Sequence, residues 1–116
     1  YDTMQYVACP VNTICIGICA SMASIILSGG TKGCRSILPH AKVMIHQPLG
    51  KLSGQTSDIL VSAKEMKRVK EVTSGILAEN CGKSIDDIYQ AIQRDCYLDA
   101  DEALAFGIVD KIVKKK

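Results

Sequence analysis

Two residues in this sequence stand where a serine hydrolase would put its working groups. Ser21 lies where a β-branched apolar run, Thr13-Ile-Cys-Ile-Gly-Ile-Cys19, passes without a turn dipeptide into a helix-forming stretch, Ala23 to Leu27. A serine at such a junction most often serves as an N-cap, its hydroxyl accepting a backbone N–H. The same place suits a nucleophile: the hydroxyl is presented at a sheet edge, the following N–H points at a developing oxyanion, and the helix N-terminus adds favourable partial charge. Ala20 and Ala23 leave Ser21 approachable, and the spacing is not Gly-x-Ser-x-Gly, so the α/β-hydrolase elbow is not the pattern. His46 ends the run Lys42 to His46 just before Gln47-Pro48, which puts an imidazole at a strand end where it can serve as general base. His40, beside Pro39, reads as a surface residue. A serine hydrolase also needs a carboxylate on the far imidazole nitrogen. With twelve acids in the chain, spacing alone does not select one.

The elements that must position these residues alternate between strand and helix, which predicts an α/β fold. Asp2 to Val7 reads as the end of a helix stopped by Pro10, Thr13 to Cys19 as one buried strand, and Ala23 to Leu27 as a buried helix closed by Gly29-Gly30. Arg35 to Leu38 and Lys42 to His46 read as short strands, and Leu49 to Gln55 as a flexible or extended connection. A long helix from about Asp58 to Asn80 carries an apolar stripe of residues including Ile59, Leu60, Val69, Val72, Ile76 and Leu77. Ser84 with Asp87, and Asp99 with Glu102, have capping-box spacing and open two further helices, one through about Gln93 and one closed by Gly107. Asp95 falls in the loop between them, and Ile108 to Val113 reads as a last strand.

Bulk properties exclude several classes of function. A chain of 116 residues builds one core, so residues 1–116 read as a single domain. The net charge of +2 is interspersed apart from Lys114 to Lys116, which leaves no field for nucleic acid. The apolar stretch from Ile14 to Leu27 is interrupted by Gly17, Ser21 and Ser24, too polar for a membrane span. Six cysteines show no C-x-x-C and only two histidines accompany them, so no metal site is expected. They read as small buried hydrophobes kept reduced, which favours an intracellular setting, either cytoplasm or an organelle such as the plastid stroma or mitochondrial matrix. The chain opens in mid-pattern on Tyr1, as the C-terminal catalytic-core part of a longer subunit would, its upstream region missing.

Several segments together resemble the family of Clp protease proteolytic subunits (ClpP). They are Tyr1-Asp-Thr-Met-Gln5, Thr13-Ile-Cys-Ile-Gly17, Ala20-Ser-Met22 and Val43-Met-Ile-His-Gln-Pro-Leu-Gly50, followed by Gly54-Gln55 with Asp58-Ile59, Arg94-Asp95, Glu102-Ala103 and Gly107-Ile-Val-Asp110. Order and spacing are kept over essentially the whole chain. The resemblance implies a ClpP/crotonase-like stacked sheet-and-helix core with a protruding handle helix, here the segment from Asp58. It implies Ser21 as nucleophile, His46 as base, Asp95 as the acid that orients it, and the Met22 N–H as half of the oxyanion hole. The other half comes from an upstream glycine-rich segment that this chain does not contain, so the chain alone is expected to be inactive or nearly so. Also implied are two stacked seven-membered rings, homo- or hetero-oligomeric, enclosing a chamber fed with unfolded polypeptide by an AAA+ ATPase, with no cofactor and no metal.

The sequence departs from that family's pattern at Ala23 and Lys51, where glycine is usual, and at Gln93, where an acid commonly precedes the arginine. The last departure weakens an inter-ring ion pair and favours mixed rings. Two other readings compete: a chiefly structural, weakly active or inactive ring subunit, and a crotonase-like acyl-CoA enzyme of related fold. Retention of serine, histidine and aspartate argues against the first, and the histidine motif with no CoA-directed feature against the second.

Overall fold

The computed structural model describes all residues from Tyr1 to Lys116. In chain order the elements are α1 (Asp2–Tyr6), β1 (Thr13–Cys15), β2 (Ile18–Ala20), α2 (Met22–Ser28), β3 (Arg35–Ile37) and β4 (Lys42–Ile45). There follow α3 (Thr56–Cys81), α4 (Ile85–Ala91), β5 (Cys96–Leu98), α5 (Ala100–Phe106) and β6 (Lys111–Ile112). The strands form two three-stranded sheets, one wholly parallel in the order β1-β3-β6 and one mixed in the order β2-β4-β5. The α/β class read from the sequence holds.

The apolar run from Thr13 to Cys19 is not one strand but two. Gly17 has φ 73°, a conformation that side chains with a Cβ rarely adopt, and it turns the chain so that β1 joins one sheet and β2 the other. No turn dipeptide marks the break, and a single positive-φ glycine suffices. Helix α2 packs against β1, β2 and β4, and so closes the space between the sheets with Ile25 and Leu27. Cys15, Ile37, Val43, Ile45, Ile88, Ala103 and Ile108 complete a core that excludes water.

Helix α3 is about 39 Å long at 1.5 Å per residue, in a molecule whose longest dimension is 58 Å. Only Ser74 and Leu77 of it are buried, whereas Leu60, Val61 and Val72 stand in solvent. The apolar stripe therefore meets the core only near the C-terminal end of the helix. Helical spacing of apolar residues marks a face that wants a partner; it does not say that the partner lies in the same chain.

Helix α4 ends at Ala91, short of the expected Gln93, and the chain then forms β5, which was not expected. Ser84 caps α4 by accepting from the Asp87 N–H, without the reciprocal bond of a full capping box. Asp99 and Glu102 do form the reciprocal box at α5, with bonds of 2.8 and 2.9 Å. Gly107 closes α5 at φ 92°, and a Cβ there would lie 2.6 Å from the Cys81 carbonyl oxygen. Strand β6 is shorter than expected: Ile108 and Val109 are buried in the core, and pairing with β3 is confined to Lys111 and Ile112.

One buried cation organises the parallel sheet. Arg35, 2% exposed, meets Asp110 through Nε and Nη2 at 2.9 and 2.6 Å, and Nη1 donates to the Asn80 carbonyl at 2.9 Å. The Gly33 and Arg35 N–H groups also donate to Asp110. The Arg35 hydrogen bonds, reinforced by these amides, hold the Asp110 carboxyl down at about 2. All six cysteines are free. Burial, and then Cys19 beside it, pushes the Cys15 thiol up to about 12, and burial pushes Cys81 up to about 11, so both remain thiols at neutral pH. No helix is long and apolar enough to cross a membrane.

Candidate active site

The mixed sheet brings the three sequence-selected side chains to one of its ends. Strands β2 and β4 run parallel, so both finish there, Ala20 opposite Met44. Strand β5 runs antiparallel to β4, with Ile45 opposite Cys96, so it begins there. One further step in each register sets Ser21 beside the end of β4 and Asp95 opposite His46. The strand order β2-β4-β5 is thus the side-chain order serine, histidine, aspartate, with the histidine at the end of the central strand.

Ser21 leaves the sheet abruptly. Its N–H still donates to the Met44 carbonyl at 2.9 Å, as a strand residue would, but φ 56° and ψ −123° make it the one residue other than glycine with positive φ. Such a conformation costs about 1–3 kcal/mol and persists only where surrounding structure imposes it. The imposing contacts are visible: the Ser21 carbonyl accepts from the Ser24 N–H at 3.0 Å and from the Ser24 hydroxyl at 2.5 Å. The Ser21 hydroxyl makes no capping bond to α2, contrary to the ordinary role of a serine at a helix start. It lies instead 2.9 Å from Nε2 of His46. The cap position is occupied, but its oxygen is turned away from the helix.

His46 is 14% exposed, and its Nδ1 is 3.5 Å from Oδ1 of Asp95, whose side chain is 56% exposed. That distance is within ion-pair range and beyond a hydrogen bond, and the buried Nδ1 accordingly has no hydrogen-bond partner. The Ser21 side of the imidazole is engaged and the Asp95 side is not. Met22 occupies the first position of α2, where an N–H has no partner within the helix, beside the Ser21 hydroxyl.

A cavity of about 370 Å³ opens beside Ser21 and His46, with Ile25, Ile45, Val69, Leu77 and Ile92 on its walls. Its hydroxyls are mostly committed: Ser24 to the Ser21 carbonyl and Thr73 to the Val69 carbonyl, leaving only the buried Ser74 hydroxyl without a partner. Val69 and Leu77 were read from the sequence only as part of the apolar stripe, and Thr73 and Ser74 were not singled out, although Val69, Thr73 and Leu77 recur at the three-to-four spacing of one helix face. No group of three or more His, Cys, Asp or Glu side chains is arranged to hold a metal ion. Chemically, the arrangement offers a strained, solvent-facing hydroxyl bonded to an imidazole, a free helix-start N–H, and an adjoining apolar recess.

A family model described as Clp protease matches residues 1–116. The chain is also similar to the ATP-dependent Clp protease proteolytic subunit of Porphyromonas gingivalis, 50% identical over 115 residues, which is 99% of this chain and 52% of that protein. The chain thus spans about half the length of the curated relative it matches. With every residue inside the family match and half of them shared with that relative, the chain belongs to the Clp protease family.

Proposed function

We propose that this chain is the catalytic core of an ATP-dependent Clp protease proteolytic subunit, a serine endopeptidase in which Ser21 is the nucleophile, His46 the general base and Asp95 the orienting acid. The observation that carries the reading is the 2.9 Å approach of the Ser21 hydroxyl to His46 Nε2 at a strained strand-to-helix turn. An imidazole that accepts from Ser21 at Nε2 carries its proton on Nδ1, the nitrogen that faces Asp95. Nε2 takes the serine proton as Oγ attacks the scissile carbonyl carbon, and the resulting oxyanion is stabilised by the Met22 N–H and the positive end of α2. His46 then hands the proton to the leaving amine, an acyl-enzyme remains on Ser21, and water, deprotonated by the same imidazole, releases it. No metal or organic cofactor enters these steps.

The substrates proposed are unfolded polypeptides, cut to short peptides inside a ring chamber. The assembly is a double seven-membered ring, alone or with related subunits, served by a Clp-type AAA+ ATPase, in the cytoplasm or an organelle. The projecting α3 and the segment before it are suited to ring contacts and to receiving extended substrate by strand addition. A fluorophosphonate probe tests the core of the reading: the assembled full-length protein should carry the adduct on Ser21, located by peptide mass spectrometry, and Ser21→Ala should abolish it. Intact rings that take no adduct would sink the proposal. One observation favours a second reading, a structural and weakly active ring subunit: the His46 Nδ1 to Asp95 contact is open in this structure.

A further inference from the structure

Asp95 accepts no hydrogen bond, so its position relative to His46 is set by the backbone that carries it. That backbone, between α4 and β5, is tied to the residue after His46. The Gln47 N–H donates to the Ile92 carbonyl at 3.0 Å, and Gln47 Nε2 lies 3.4 Å from the Gln93 carbonyl, two residues before Asp95. The remaining atom of the amide, Oε1, accepts from Lys70 Nζ on α3 at 3.2 Å. The Lys70 ammonium also lies 5.2 Å from the centre of the Tyr89 ring on α4, which holds it between the two.

The chemistry of these partners fixes the amide's direction. An ammonium only donates and a carbonyl only accepts, so Gln47 must turn its oxygen to Lys70 and its NH₂ to Gln93. Without the cation the amide is held only by its long 3.4 Å contact to the Gln93 carbonyl, and the segment leading to Asp95 loses its tie to α3. The 3.5 Å gap to His46 needs to shorten by well under 1 Å to become a hydrogen bond, so a displacement of that size decides whether the base is oriented.

From this we infer that Lys70 and Gln47 are positioning residues, holding Asp95 in register with His46; the inference rests on the serine-peptidase reading above. In the assembled full-length protein, Lys70→Met lowers kcat for a peptide substrate by about 10- to 100-fold with KM changed less than about 3-fold, and Lys70→Arg restores most of the rate. Gln47→Glu keeps the Lys70 contact but presents oxygen to the Gln93 carbonyl, and it lowers kcat similarly. In an Asp95→Asn background, Lys70→Met adds less than about 2-fold, because its effect passes through the missing carboxylate. A full additional loss there, or wild-type kcat in both Lys70→Met and Gln47→Glu, overturns the inference. So does failure of both variants to assemble, which would make the contact structural. Persistent turnover in Ser21→Ala would instead overturn the peptidase reading, and it is read in a separate arm.

Discussion

Two aspartates in this molecule face a basic side chain across two strands, and they do so in opposite ways. Asp110 is gripped by two side-chain contacts from Arg35 and by the backbone amides of Gly33 and Arg35, in a setting where the guanidinium is 2% exposed. Asp95 stands 3.5 Å from His46, half in water, with no hydrogen bond at all. The difference follows from charge. Arg35 is permanently cationic, and a buried cation left unpaired is expensive, so its contacts are complete in the resting fold. A histidine carries no permanent charge, so its contact with a carboxylate can stay open in the resting fold, and in the proposed reaction the attraction would grow as His46 takes a proton. An interaction that strengthens in the transition state accelerates chemistry, whereas one already complete in the resting state contributes to stability alone.

The sharpest way to break this comparison is to exchange the roles. In the assembled full-length protein, Asp95→Asn should lower kcat by about ten-thousand-fold while leaving the melting temperature within about 2 °C of wild type, measured by peptide turnover and calorimetry on the same preparation. A melting temperature that fell along with the rate would make Asp95 structural after all. Arg35→Met should do the reverse: it removes the guanidinium donors to Asp110, Asn80 and Ser28 and costs about 3–5 kcal/mol in urea unfolding, with activity lost only as the fold is lost.

Acid sharpens the same contrast. The Asp110 carboxyl is held at about 2 in the fold, below its ordinary 3.8, so the folded state binds its proton less readily than the unfolded chain. Its contribution is therefore full above about pH 4 and is lost as pH falls toward about 2. It amounts to about 1–2 kcal/mol once solvent screening at a partly exposed carboxylate is allowed for. Arg35→Met should flatten that part of the stability profile, and an unchanged acid slope would show that other carboxylates carry it. The smallest effect lies at α5, where Asp99→Ala removes one half of the capping box and should cost about 1 kcal/mol without changing turnover.

How far these features could be read beforehand depended on the range of the interaction. The α5 box, the Ser84 cap and the Gly107 stop are local and were legible, because donor and acceptor sit three or four residues apart. The break at Gly17 was not, since the residues on both sides are apolar and β-branched and only the backbone dihedral differs. Strand β5 was missed for a related reason: three residues between two helices carry too little pattern to be distinguished from a loop. Ser21 and His46 could be proposed from their places at element ends. Asp95 could be chosen only by resemblance, because what sets it opposite His46 is the register of β5 on β4, a long-range property. The Lys70 to Gln47 contact was invisible for the same reason.

The placement of His46 directly after the central strand also has a consequence in time. Strand β4 is paired on both sides, whereas β2 and β5 are each held within this sheet by β4 alone. Breathing of the sheet must therefore begin at its flanks, and amide deuteration should reach Cys96–Leu98 well before the interior of β4. His46 follows directly on the strand that is paired on both sides, and Ser21 and Asp95 adjoin strands paired here on one, so the imidazole is expected to be the least mobile of the three side chains.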